Sequence, residues 1–294
     1  MNNLRRSLSL LLALVMLLAL GAFASAEDNA AAEEATVTLT DEDVASLAYL
    51  NGQLRVGMEC AYAPNNWQES EASDTNVPIE NVPGAYAEGY DVQIARIIAD
   101  QLGLELVVVK MDWDGLIEAL NQGQIDAIIA GMADTESRKE AINFTSPYHE
   151  TVYALMVNAR TQYENATSLA DFNGASVLGQ KDTALDWTID QIEGVNHLTA
   201  VASVPDMIAR LQQGTCDAIV INLENAPGYL AANPNFVVIS FPEGEGLDPG
   251  FKGACVGLRK SDDALLGLAD AVLATIDQEQ RDELWETALT NQPT

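Results

Sequence analysis

The sequence predicts an α/β protein built as two similar lobes joined by two chain segments. Three observations carry that expectation. Apolar strand-like runs alternate with helical patterns over most of the chain, one helix–Gly–strand phrase occurs twice, and the last segments return to the first half. Such alternation produces βαβ units and a mixed, mainly parallel sheet flanked by helices in each lobe.

The first series starts at "QLRVGMEC", a short strand from Leu54 to Met58. "YDVQIARIIADQLG" places Ile94, Ile97, Ile98 and Leu102 on one helical face, with Asp91 near the start and Gly103 as the stop. "LELVVVK" reads as a buried strand, "DWDGLIEALNQG" as a helix with Leu116, Ile117 and Leu120 inward, and "IDAIIAG" as the next strand. The second series repeats the design: "ASVLGQ" strand, "ALDWTIDQI" helix, "VPDMIARLQQG" helix, "CDAIVIN" strand and "NFVVISF" strand. "LNQGQIDAIIAG" in the first matches "LQQGTCDAIVIN" in the second, and Asp126 and Asp217 fix the offset at 217 − 126 = 91. The matching strands stop at Gly131 and Asn222.

"ETVYALMV" (150–157) and "FKGACVGLRK" (251–260) run between the lobes as a two-segment hinge. The expected organisation is lobe 1 over residues 50–152, lobe 2 over 153–250, and a return to lobe 1 over 251–294 with closing helices in "DDALLGLADAVLATI" and "RDELWETAL". Residues 68–88, polar and Pro-containing, read as a solvated insertion whose acids lack calcium-loop spacing.

The chain's start reads as an export signal. Arg5 and Arg6 precede an apolar run from Leu8 to Leu20 and then Ala24-Ser25-Ala26, a cleavable pattern over residues 1–26. The run is shorter than the roughly 20 residues that span a bilayer. Residues 27–49, acidic and Ala-rich, read as a flexible leader. The expected location is therefore extracytoplasmic.

The formal charge is −30, and losing Arg5 and Arg6 makes it −30 − 2 = −32. A chain so acidic repels nucleic acid. Cys60, Cys216 and Cys255 lie far apart in or beside apolar strands, which fits buried free thiols. Their spacing suits no metal, and His149 and His197 cannot build a metal site alone. No cofactor is expected.

At this point the sequence resembles a known family. "LRVGMECAYAPNNW", "GYDVQIARIIADQLG", "DWDGLIEALNQGQIDAIIAGMADTESRKEAINFTSPYHE" and "GLRK" are similar to the extracytoplasmic solute-binding proteins, family 3 type, of ABC-type amino-acid importers. The resemblance implies a two-lobed, type II periplasmic-binding-protein-like fold, a monomer. It implies an amino acid or related small carboxylate held between the lobes, and an importer's transmembrane permease as partner.

The resemblance also implies a ligand site. Arg138, in "DTESRKE", stands at the position whose guanidinium grips a ligand carboxylate with two parallel hydrogen bonds. Gly131 and Ala133 supply close backbone. Tyr62 and Trp113 stand where aromatic rings sandwich the ligand side chain, with Trp67 nearby; core packing is the other reading of each. Glu59 stands where an acid meets the ligand's polar end, though a solvated loop acid fits it equally. Thr183, in "GQKDTALDW", marks a helix N-terminus that meets the carboxylate, with Asp182 in place of the usual Gly.

Two positions depart from the pattern. Asn222 replaces the acid that pairs with the ligand's ammonium, and Ala133 replaces a Ser or Thr. Either Glu224, Asp134 or Glu59 supplies the missing charge, or the ligand lacks a free amine. An enzyme on the same fold, resembling the cyclohexadienyl dehydratases, would need an acid and a base in the cleft, and only Glu59 and His149 are candidates. A ligand-sensing domain would need a signalling or membrane segment. A non-enzymatic receptor is the expectation.

Overall fold

The computed structural model describes residues 35–242 and 244–293. The export signal read over residues 1–26 lies outside them, as do the first residues of the leader.

The remainder of the leader is where structure and expectation part. Thr40 caps helix α1 (Asp41–Ser46) through a reciprocal capping box with Asp43. Leu47 and Leu50 beyond it are buried, and the Val37 N–H donates to Gln101 Oε1 at 3.0 Å. The leader is thus packed from Val37 on, not flexible to residue 49. The T-x-x-D box and the Leu47/Leu50 spacing give it a capped start and an apolar side to bury.

The first half continues with β1 (Gln53–Met58), β2 (Ala61–Tyr62), β3 (Asn66–Glu69), β4 (Val77–Pro78), β5 (Tyr86–Glu88), α2 (Tyr90–Gln101), β6 (Glu105–Lys110), α3 (Leu116–Asn121) and β7 (Ala127–Ile128). Then come α4 (Glu136–Ala141), β8 (Asn143–Phe144) and β9 (His149–Glu150). The second half holds β10 (Tyr153–Asn158), β11 (Ser176–Leu178), α5 (Ala184–Trp187), β12 (Asn196–His197), α6 (Val204–Gln212), β13 (Ala218–Asn222), α7 (Ala226–Ala232) and β14 (Phe236–Ile239). The chain returns through β15 (Gly253–Ala254) and β16 (Gly257–Leu258) to α8 (Asp263–Thr275) and α9 (Gln278–Asn291).

Two sheets match strand for strand. One runs β6-β1-β7-β16-β8, the other β12-β11-β13-β10-β14. In each, three neighbouring strands are parallel and the fourth, β16 or β10, is antiparallel to its neighbours. Each sheet has its own apolar core. The repeated phrase falls on equivalent strands, β7 and β13, and its shared residues do the same work in each. Gly123 and Gly214 end the preceding helices in the left-handed region, at φ +73° and +66°. Asp126 accepts the Arg55 N–H of β1 (3.1 Å), and Asp217 accepts the Ser176 N–H of β11 (2.8 Å).

The chain crosses between the halves side by side: β9 and β15 pair antiparallel, His149 opposite Ala254. The insertion over 68–88 is not merely solvated loop. It contributes β4, β5 and the end of β3 to a small antiparallel sheet, and Ile79, Ala85 and Ala87 are buried beneath it. Its few apolar residues were enough to anchor it.

Candidate functional site

The parallel strands of both sheets end at one cleft, the place where open α/β sheets bind ligands. Glu59 follows β1, Gly131 follows β7, Gln180 and Thr183 follow β11, and Asn222 closes β13. With Arg138, Trp113 and Tyr153 they line one narrow cavity.

Arg138 belongs to α4, whose N-cap is Thr135. Its Nη1 donates to the Ala133 carbonyl (2.9 Å) and its Nη2 to the Asp182 carbonyl across the cleft (2.7 Å). The guanidinium carbon lies 5.1 Å from the Trp113 ring centre, a cation–π distance. Burial draws its pKa down to about 10, so it stays cationic at neutral pH. Among the described residues no carboxylate is ion-paired with it.

Tyr62, from β2, packs against the core of the second half and gives its phenolic proton to Asn222 Oδ1. Gly131 is needed for that ring: a Cβ there would lie 3.1 Å from Tyr62 Cε1, and its φ is +65°. The Gly131 N–H donates to Tyr148 Oη (3.1 Å), whose proton goes to Asp91 (2.6 Å). Asn66 Nδ2 also donates to Asp91 (2.8 Å), and Asn66 Oδ1 receives the Cys60 N–H (2.8 Å). This buried network ties the β1–β2 loop to the end of β7. Asp91 read in the sequence as a helix-start acid; its fully buried position was invisible there.

Glu59 faces Gln180 of the other half, with Nε2 to Oε1 at 3.3 Å. Burial pushes the Glu59 carboxyl up to about 7, opposed by the Gln180 hydrogen bond and assisted by Asp112 and Asp114. Gln180 lies in the "GQKDTALDW" motif, where nothing in its sequence marks it as a wall residue. Tyr153 and Phe251 also line the cavity, although they lie in the linking segments, whose sequence reads as hinge and not as wall.

The 180–183 turn is held by Thr183, whose Oγ1 donates to the Gln180 carbonyl (2.8 Å) and accepts the Leu185 N–H (3.2 Å). Asp182 takes the left-handed conformation (φ +58°). Its exposed side chain pairs with Lys181 at 3.3 Å, directed away from the cavity. Asn222 is buried and sits opposite Tyr153 in the β10–β13 ladder.

Several candidates are placed elsewhere. Trp67 does not line the Arg138 cavity; with Tyr62 it borders a neighbouring pocket that Ile208 and Tyr229 of the second half complete. Pairing of β3 with β2 and β5 turns Trp67 into the first core, where it is buried, and its Nε1 donates to Glu69 (2.7 Å). Glu224 accepts the Val152 N–H (3.3 Å) beside His149, and Asp134 pairs with Lys139 (2.8 Å). Neither lines the cavity, and among the described residues Glu59 is the one acid in its lining. His149 stacks on Trp285, with ring centres 4.3 Å apart, and is also outside the lining. The three cysteines are buried and free. No cluster of metal-ligating side chains is present among the described residues.

Two matched α/β halves, a double crossing and a polar cleft fed by strand ends from both define a clamshell solute-binding protein of the type II periplasmic-binding-protein class. The chain belongs to the bacterial extracellular solute-binding proteins, family 3, whose profile matches residues 54–288. It is 29% identical over 216 residues to the "Probable histidine-binding protein" of Campylobacter jejuni, spanning 71% of this chain and 70% of that one. It is 25% identical over 236 residues to the L-arginine-binding protein of Pseudomonas aeruginosa, spanning 75% and 81%. An amino acid ABC transporter substrate-binding protein from Streptococcus pneumoniae, solved bound to L-arginine, superposes with a TM-score of 0.72 at 25% identity, spanning 86% and 99%.

Proposed function

We propose that this protein captures an amino acid, or a closely related small carboxylate, between its lobes outside the cytoplasm and delivers it to the permease of an ABC importer. One observation carries the reading. The cleft wall holds a guanidinium, Arg138, whose hydrogen bonds go to backbone carbonyls and not to an acid. A cation so placed is set to take a ligand carboxylate through charge-assisted bonds. Amino-acid-binding relatives of similar length support the same reading.

The protein acts without catalysis in this reading. Acid–base chemistry needs paired groups aimed at a substrate, and among the described residues Glu59 is the single carboxylic acid in the cavity lining, with no histidine in that lining. The test is mass spectrometry of whatever purified protein releases on denaturation, followed by calorimetric titration with that compound. An amino acid or small carboxylate recovered in near-stoichiometric amount is the expected result. A released ligand without any carboxylate, or turnover of the released compound by the native protein, would overturn the proposal.

A further inference from the structure

His197 lies outside the cavity lining and has a carboxylate on each of its ring nitrogens. Nε2 is 2.8 Å from Asp186 Oδ1, and Nδ1 is 2.9 Å from Asp190 Oδ1. Ionised carboxylates only accept, so both contacts are hydrogen bonds only when the ring carries two protons and a positive charge. A neutral imidazole donates from one nitrogen and turns a lone pair toward the other carboxylate. Among the described residues the charges that reach the ring are those of Asp186 and Asp190. Burial opposes the charging of the ring, the two acids outweigh burial, and its pKa is raised from the ordinary 6.5.

The groups that this ring joins stand behind one wall of the cavity. His197 belongs to β12, the edge strand of the second sheet, and sits opposite Val177 of β11. Asp186 belongs to α5, and Asp190 to the 3-10 turn Thr188–Gln191 that continues it. With four residues, α5 is a single turn, too short to persist without tertiary contacts. Its backbone rests on the 180–183 turn. The Asp186 and Trp187 N–H groups both donate to the Thr183 carbonyl (3.0 and 3.3 Å), and Gly179 leaves no room for a Cβ against the Leu185 carbonyl. Thr183, Ala184 and Leu185 line the cavity. The His197 ring therefore pins the helix behind this wall to the edge of its sheet.

We propose that Asp186, His197 and Asp190 form a pH-sensitive clamp, which fixes the cavity-lining turn of the second lobe while His197 is protonated and releases it when the proton leaves. Because the folded ring holds its proton more tightly, the stabilisation is fully present below the ordinary 6.5 and is lost as pH rises through the higher folded midpoint. The Asp190 side chain is 74% exposed and that of Asp186 only 26%, so the Asp186 contact carries most of the effect. The wall that Thr183 gives to the cavity is firmest in mildly acidic surroundings and loosest in alkaline ones.

NMR of the protein without ligand tests the clamp. The chain has two histidines, His149 and His197, so His197→Gln assigns the two imidazole titrations. The His197 midpoint should lie above 6.5 and should fall in Asp186→Asn. Amide protection over residues 183–187 should drop about two- to five-fold between about pH 6 and 9 in Glu59→Gln, a background free of the Glu59 titration. Adding His197→Gln should leave that protection low and flat across the range. A His197 midpoint at or below 6.5, no drop in protection, or the same drop in the His197→Gln protein would overturn the clamp. If His197→Gln does not fold, Asp186→Asn removes the less exposed contact alone, and an undiminished drop there overturns the clamp equally. None of these readouts involves a ligand, so the capture function is judged separately.

Discussion

Arg138 of the first lobe donates to the Asp182 carbonyl of the second at 2.7 Å, while its other arm holds the Ala133 carbonyl at 2.9 Å. Both partners are neutral carbonyls, which a carboxylate can outcompete because charge-assisted bonds are roughly twice as strong. Arg138→Ala should therefore remove most binding. Truncating one member of a buried charge pair costs roughly 2–5 kcal/mol, a loss of about 30-fold to several thousand-fold. The fold should persist, since Arg138 is not part of either apolar core. Calorimetry reads the first effect and thermal denaturation the second. Unchanged affinity would remove Arg138 from the site.

Glu59 gives the protein a pH response. Its folded carboxyl titrates at about 7 against an ordinary value of 4.5, because burial disfavours the charge. The stability contributed by this group is fully present below that ordinary value and is lost as pH rises through about 7. Binding of a ligand with a cationic side chain at Glu59 would run the other way, since it needs the ionised form. Affinity for a cationic ligand should rise between about pH 6 and 8, with nearly one proton released per ligand at the lower end. Titration in buffers of different ionisation enthalpy counts that proton. Glu59→Gln should abolish both the release and the pH slope.

Asn222→Asp tests whether the ligand carries a free α-amine. The new carboxylate would give an α-ammonium the counter-charge that Asn222, Tyr62 and Tyr153 do not. L-lysine should then bind about five-fold tighter, from a gain of ~1 kcal/mol. ε-Aminocaproate should bind more weakly, because the charge is buried without a cation. Neither affinity changing by more than about two-fold would mean that Asn222 does not meet the ligand.

Gly179→Ala tests the 180–183 turn. An added Cβ would lie 2.2 Å from the Leu185 carbonyl oxygen and 2.4 Å from Asp186 Cα, both backbone of the following turn. Such overpacking costs roughly 1–3 kcal/mol. The variant should melt several degrees lower and bind more weakly, as Thr183 and Gln180 are displaced with the turn. A variant with unaltered Tm and affinity would show that the turn moves without consequence.

Lys181 and Asp114 form an ion pair across the cleft mouth at 2.6 Å, with both side chains about half exposed. Exposed pairs contribute little and are screened by salt. Lys181→Ala should weaken binding by less than about five-fold, and the difference should shrink in concentrated salt. A larger, salt-independent loss would mean that Lys181 touches the ligand itself.

The sequence by itself determined the two matched α/β halves, because apolar periodicity and the Gly-then-Asp ends of the repeated phrase encode local geometry that needs no distant partner. It also brought Arg138, Tyr62, Trp113 and Asn222 forward, through spacing within short motifs. Only the tertiary structure decided which of several acids faces the cavity. Glu59, Asp134 and Glu224 look alike in one dimension, and strand pairing and helix direction turn the last two toward Lys139 and Val152. It likewise sent Trp67 into the core and Tyr153 into the cleft wall, since which face a strand residue takes depends on the sheet it joins. The Asp91–Tyr148–Gly131 network lay beyond sequence reading for the same reason: its members are 57 and 17 residues apart, and what brings them into hydrogen-bond contact is the packing of α2 beneath the sheet.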